Sequence, residues 1–490
     1  MASRKMLSAA LAVSALAGLA ATAPSAMAGD CTGSQQIVGQ GASFAREAHA
    51  APGAGWIVNA GCVVGAQDNA NSPFLPGDDL IYYKGSGSGS GINAFGGSNG
   101  VRDQGIRFIG TDDPMTPTQV ANAEEGNNPV NVNPDGDDGE FHTIPILQGV
   151  VAVIVNVPDT CRPASFSNFR PALPFGGAGS TNSVVEEAFS GEGATWASLG
   201  YVLKSNTAAP CAVPIKRVVR RDNSGTTFAF KQFLNSTDKD NDTNWEANDQ
   251  TGEDNTIWLG HGRDRDGTCD GIDAGTPVSN PYICTGTGSG NPFVADTVNT
   301  TDGSIGYSDL ATARFKGFDF TGTSPLGDDT YWLKLYQPAA NPVLRDPARD
   351  QANGWRSTAT TAQKGANCNN NTKYNNIPSN TKSDWSPVIQ AQSGPVYPIC
   401  ALSYMGAWED MEDVYPTVPY AQLQAEQAAV RRYIEYILGT DPIGVGADEG
   451  QTILPNGDYA ALPPTPLTRA NAYLTTFEGF DKAPDRAPVR

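Results

Sequence analysis

Strand-like and helix-like stretches alternate along the chain. Ile37-Val38 is a short apolar pair before a Gly-rich turn, and a helix is expected from Phe44. Leu80-Ile81-Tyr82-Tyr83 predicts a second strand, which runs into Gly85-Ser86-Gly87-Ser88-Gly89-Ser90-Gly91 and a helical start at Ile92. Ile106-Arg107-Phe108-Ile109 predicts a third, ending at Thr111-Asp112. From Gly149 to Val157 the chain is almost continuously apolar, as in a strand buried on both faces. Ile215 to Val219 predicts another strand, after which Ser224-Gly225-Thr226 opens a helix with Phe230, Phe233 and Leu234 on one face. Ser304-Ile305-Gly306-Tyr307 is a further short strand. Val430, Tyr433, Ile434, Ile437 and Leu438 keep helical spacing, and Gly439 stops that helix. This alternation predicts an α/β fold. The intervening stretches 121–140, 236–285 and 345–395 are rich in Asn, Asp, Gly and Thr. They read as surface loops or partly ordered excursions.

Residues 1–28 differ from the rest. Arg4 and Lys5 precede an apolar run from Leu7 to Ala23, and Ala26-Met27-Ala28 offers a small-x-small cleavage site. A secretory signal peptide cleaved after Ala28 is expected, giving a secreted, extracellular or periplasmic protein. An N-terminal membrane anchor is the alternative; Asp30 argues against lipidation at Cys31. The formal charge is −20, and loss of Arg4 and Lys5 makes it −22. So acidic a chain has no long-range attraction for phosphate backbones or anionic lipid, which excludes nucleic-acid partners. The eight cysteines, none in a C-x-x-C pair, read as disulfides in an exported chain. Neighbour pairing would give 31–62, 161–211, 269–284 and 368–400.

Four places share one design, a strand ending in a turn of small residues with a helix behind it. They are Gly39 to Phe44, the Gly/Ser run, Phe108 to Pro114, and Arg220 to Thr227. Helix starts expose unpaired N–H groups, hydroxyls add donors, and glycine admits close approach. Converging, such turns make an anion site without positive net charge. Arg220 can fork two oxygens of a tetrahedral anion while Asp222 holds it. Asp112 accepts only, so it suits an anion that carries a proton, such as hydrogen phosphate, and penalises sulfate.

These motifs resemble those of the phosphate-binding protein of bacterial phosphate ABC transporters. Gly41-Ala42-Ser43-Phe44, Tyr83 to Gly91, Thr111-Asp112-Asp113-Pro114 and Arg220 to Thr226 carry the likeness, in family order. Looser matches are Gly149-Val150-Val151, Gly303 to Tyr307, Tyr397-Pro398-Ile399 and Asp458-Tyr459-Ala460. The resemblance implies a two-lobed periplasmic-binding-protein fold of type II, a Venus flytrap, here with disulfide-bearing loop insertions. Residues 29–146 would begin lobe I, 147–398 form lobe II with insertions, and 399–490 return to lobe I. It implies phosphate contacts at Ser43, Phe44 (by its backbone), Ser88, Asp112, Arg220, Ser224, Gly225 and Thr226, with Asp222 in support. It implies a monomer that binds inorganic phosphate reversibly and docks on a transporter permease, with no catalysis, metal or cofactor.

Other patterns offer alternatives. Asp238-x-Asp240-x-Asp242, and Asp264-x-Asp266-Gly267 with Asp270 and Asp273, resemble calcium loops. Gly96-Gly97-Ser98-Asn99-Gly100 fits a nucleophile elbow but lacks a preceding strand. His49, His142 and His261 are not in H-E-x-x-H spacing. The rival functions are a secreted recognition or adhesion protein with a vestigial pocket, a phosphatase-like hydrolase, and a binder of another oxyanion such as arsenate.

Overall fold

A single 16-residue strand, Phe141–Asn156 (β4), organises the molecule. Its first ten residues pair antiparallel with Cys400–Trp408 (β9), from Phe141 opposite Trp408 to Val150 opposite Cys400. Its last six pair antiparallel with Ser304–Asp309 (β7), from Val151 opposite Asp309 to Asn156 opposite Ser304. The partner changes between Val150 and Val151. The computed structural model describes residues 36–50, 56, 80–125, 140–164, 172–174, 183–220, 222–238, 245, 258, 272–273, 276–277, 282–285, 290–318, 329–336, 344–349, 365–368, 374–390, 396–415, 417–439 and 450–476.

On one side of β4, the sheet continues through β9 to Ile106–Thr111 (β3), Gln36–Gly41 (β1) and Leu80–Gly85 (β2). The pairs β1–β2 and β1–β3 are parallel, as expected when helices fill the crossovers. On the other side, β7 leads to Lys216–Arg220 (β5) and Ile283–Thr285 (β6), again in parallel. Thr330–Trp332 (β8) pairs with the end of β4. The fold is the mixed α/β one that the alternation predicts.

The strand expected from Gly149 begins eight residues earlier, at Phe141. Pro145 hides it, because proline has no N–H for a ladder. The register shifts where Ser403 faces Leu147 and Tyr404 faces Pro145, and that bulge absorbs the missing donor. The helix expected from Ile92 likewise starts earlier, inside the Gly/Ser run, and spans Ser88–Ala94 (α2). Helix propensity argues against glycine there, but packing overrides it. A Cβ on Gly91 would lie 2.8 Å from the Gln40 carbonyl and 3.0 Å from Gly41 Cα, so only glycine lets α2 sit this close to β1.

The remaining helices used below are Arg46–Ala50 (α1), Pro117–Glu125 (α3), Gly225–Thr237 (α4), Gly290–Thr300 (α5), Leu310–Phe315 (α6) and Tyr420–Leu438 (α7). Helix α7 ends where expected, on Gly439 with φ 72°. The polar stretches are not all surface. Helix α3 reaches into 121–125. Trp385 is fully buried against Tyr404, and the Thr381 carbonyl accepts from Thr143 N–H on β4. Trp245 and Trp258 form an aromatic cluster with Phe189, Phe230, Tyr282 and Tyr307. Lone aromatics in polar sequence anchor these excursions to the core.

The disulfides Cys161–Cys211 and Cys368–Cys400 are present. Cys31, Cys62 and Cys269, and with them the pairs 31–62 and 269–284, the signal segment and the residues of both acidic motifs other than Asp238 and Asp273 lie outside the described residues. Among the described residues, no helix is long and apolar enough to cross a membrane.

Candidate functional site

All four strand–turn–helix junctions occur, and they meet. Ser43 lies in the turn between β1 and α1, Ser88 begins α2, Asp112 follows β3, and Ser224-Gly225-Thr226 lead from β5 into α4. Arg220 is the last residue of β5. Ser43, Ser88, Asp112, Arg220, Ser224 and Thr226 are all at most 4% exposed.

Arg220 is the centre of charge. Its Nε donates to Asp222 Oδ1 at 2.9 Å, and Nη2 donates to Asp222 Oδ2. Nη1 donates to Ser43 Oγ at 3.1 Å and to Asn291 Oδ1 at 2.9 Å. Burial works against the guanidinium charge, and the Asp222 carboxylate more than restores it, so its pKa is raised. Asp222 takes the Nε hydrogen and one Nη2 hydrogen, and Ser43 and Asn291 take both Nη1 hydrogens, so one Nη2 hydrogen is left for an anion instead of the two-pronged fork the sequence suggests.

The hydroxyls are arranged so that their oxygens accept from protein donors. Ser88 Oγ accepts from Asp112 N–H at 3.2 Å and from Gly225 N–H at 3.1 Å. Ser43 Oγ accepts from Arg220 and, at 3.3 Å, from Asn291 N–H. A hydroxyl has one hydrogen and two lone pairs. With both lone pairs used, each of these serines has its hydrogen left to donate. Ser224 caps α4 by accepting from Thr227 N–H at 3.1 Å. Phe44 is buried, and its carbonyl accepts from the Tyr459 hydroxyl at 2.6 Å.

Asp112 is the exception among the donors. Burial pushes its pKa up to about 7, against opposing contributions from the Ser403 hydroxyl and Arg220, while Asp309 adds to the rise. Ser403 Oγ donates to Asp112 Oδ1 at 2.7 Å. A carboxyl poised there can accept a proton held by a bound anion.

The structure adds residues that sequence reasoning missed. Asn291, at the start of α5, contacts Ser43, Arg220, Thr226 and Asp309. Its signal was the Gly290-Asn291-Pro292 helix start. Ser403 was visible as one polar residue inside the apolar run Cys400 to Trp408. Tyr307 accepts from Arg220 N–H at 3.3 Å and pairs with Thr227 Oγ1 at 2.6 Å. By contrast, Ser98 of the elbow-like motif lies in an exposed turn, bonded to Asn93. Beside the site, a groove of 880 Å³ runs along Gln40, Lys84, Ser90, Asp222 and Asn223.

The model of the PBP superfamily domain matches residues 69–345, more than half of the chain. The chain belongs to the PBP superfamily. No curated protein matches it significantly. Among solved structures, it is similar to a phosphate-binding protein from Stenotrophomonas maltophilia, with 18% identity over 90% of this chain and 94% of that one and a TM-score of 0.49. It is also similar to a high-affinity periplasmic phosphate-binding protein, PfluDING, bound with phosphate (16%, 89% and 93%, TM-score 0.49). A third is a putative phosphate ABC transporter substrate-binding protein from Clostridium perfringens, with bound phosphate (10%, 87% and 99%, TM-score 0.39).

Proposed function

We propose that this protein binds inorganic phosphate reversibly and delivers it to an ABC transporter for uptake. The observation that carries the reading is the pairing of a donor-lined site with one buried carboxyl. Arg220 supplies charge and its one uncommitted Nη2 hydrogen. Ser43, Ser88 and Ser224 supply hydroxyls, and Phe44 and Thr226 supply backbone N–H groups; the expected Gly225 N–H is taken by Ser88 Oγ and the expected Thr226 hydroxyl by Asp112. Asp112 accepts the proton of hydrogen phosphate; sulfate has no proton to offer and meets a carboxylate instead. Membership of the superfamily supports binding without chemistry.

The two sides of β4 are the two lobes in this reading, and β4 and β9 are their hinge. Ser43, Ser88 and Asp112 belong to one side and Arg220, Ser224, Gly225 and Thr226 to the other, so binding requires closure. The protein acts as a secreted or periplasmic monomer whose partner is the transporter permease. Calorimetric titration of phosphate-stripped protein tests this. Tight one-to-one binding of phosphate without sulfate heat is expected. Equal binding of both anions would remove the role of Asp112, and no heat from either would favour a recognition protein with a vestigial pocket.

A further inference from the structure

We infer that Asn291, seated on Asp309, is a positioning residue that sets the donor face of the anion site. This rests on the phosphate-binding reading above. Asn291 is fully buried, and its amide is committed on both sides. Its Oδ1 accepts from Arg220 Nη1 at 2.9 Å. Its Nδ2 donates to Asp309 Oδ1 at 2.7 Å and to Thr226 Oγ1 at 3.1 Å. Arginine can only donate, so Oδ1 must face Nη1 and Nδ2 faces Asp309. Asp309 is itself held, since its Oδ2 accepts from Thr312 N–H at 2.6 Å as the cap of α6.

The consequence falls on three groups assigned to phosphate. Asn291 Oδ1 anchors the Nη1 end of Arg220 opposite Asp222, so the guanidinium is gripped at both edges. The Asn291 backbone N–H, at 3.3 Å, fills the second lone pair of Ser43 Oγ, so that hydroxyl keeps only its hydrogen to offer. Nδ2 fills a lone pair of Thr226 Oγ1, whose side chain bonds Asp112. Asn291 has no amide hydrogen left for a ligand. It acts through Arg220, Ser43 and Thr226.

The test is titration with inorganic phosphate of the parent, N291A, N291D and the double variant N291D/D309N, with ligand-free melting temperatures measured alongside. N291A leaves a buried guanidinium hydrogen and Asp309 Oδ1 without the partner they had, and phosphate affinity falls about 10- to 100-fold. N291D sets two carboxylates face to face and loses at least as much. The double variant exchanges carboxylate and amide, keeps an acceptor toward Arg220, and regains parent affinity to within about threefold, a recovery that complementary pairing predicts. Should N291A not fold, the contrast between N291D and the double variant decides. Parent-like affinity in N291A overturns the assignment, as does a double variant that recovers the melting temperature without the affinity. A parent that gives no phosphate heat overturns the binding reading together with this one.

Discussion

Gly225→Ala isolates closure from folding. Gly225 is the first residue of α4 and packs against the turn after β3. A Cβ there would lie 2.6 Å from Asp112 Cβ, 2.6 Å from Ser88 Oγ and 2.8 Å from the Asp112 carbonyl carbon. These are backbone or near-backbone atoms that cannot swing aside. Ordinary contact starts at 3.4 Å, so α4 must withdraw by about 0.8 Å, and the mispaired buried groups this leaves cost about 10- to 100-fold in affinity. The same shift breaks the Gly225 N–H bond to Ser88. Gly225 has no left-handed backbone conformation, so alanine itself is unstrained. In an open cleft the clash does not exist, and alanine stabilises the ligand-free helix by about 0.5 kcal/mol relative to glycine.

The assay is thermal or urea unfolding with and without phosphate, beside calorimetry. At phosphate near 1,000 times the parent Kd, binding adds about 4 kcal/mol to stability; a 100-fold weaker variant at the same concentration gains about 1.4 kcal/mol. The ligand-free stability of G225A should equal or slightly exceed that of the parent. Two results refute the reasoning. G225A could bind phosphate within about threefold of the parent, showing that the contact is not part of the bound state. Alternatively, its ligand-free form could be strongly destabilised, showing that the contact belongs to the fold and not to closure.

Three further outcomes are expected. Asp112→Asn replaces an acceptor by a group that also donates, and the preference for phosphate over sulfate should fall about 10- to 100-fold in paired titrations; an unchanged ratio refutes the proton-acceptor role. His49 is buried between Tyr83, stacked at 4.1 Å, and Trp56, with Nδ1 bonded to Tyr433 at 2.7 Å, and burial lowers its pKa to about 3. A depressed histidine binds fewer protons folded than unfolded, so its contribution is intact above pH ~6.5 and is lost as pH falls toward 3. Between pH 7 and pH 5 the parent should therefore lose about 2 kcal/mol more unfolding free energy than His49→Phe, and parallel pH curves would contradict this. Finally, the Trp258 ring lies 5.9 Å from Tyr307, which touches both Arg220 N–H and Thr227. Phosphate should change the intrinsic tryptophan fluorescence, and Trp258→Phe should lose most of that change; a full-sized signal in the variant would place the reporter elsewhere.

What was legible in the sequence depended on how locally each residue is specified. The four turns were readable because each needs its own small residues next to its own strand, and Arg220 with Asp222 forms an ion pair two positions apart. The α/β class followed from the same alternation. What escaped was specified at long range. Strand β9 is not among the expected strands, and only the family match Tyr397-Pro398-Ile399 lies just before it, because its role comes from lying between β3 and β4 and no local period announces that. The beginning of β4 was hidden by Pro145, whose defect is repaired by a bulge opposite Ser403 and Tyr404, more than 250 residues away. Asn291 and Asp309 were silent for the same reason. An asparagine at a helix start and an aspartate at a helix cap are ordinary locally. They become site residues only when β5, β7 and α5 bring Arg220 against one end of the amide and Asp309 against the other. A sequence therefore displays most readily the groups that touch a ligand on Gly-rich turns. It displays least the amides and hydroxyls that orient them, because any polar residue at a cap looks alike until its partners arrive from elsewhere in the chain.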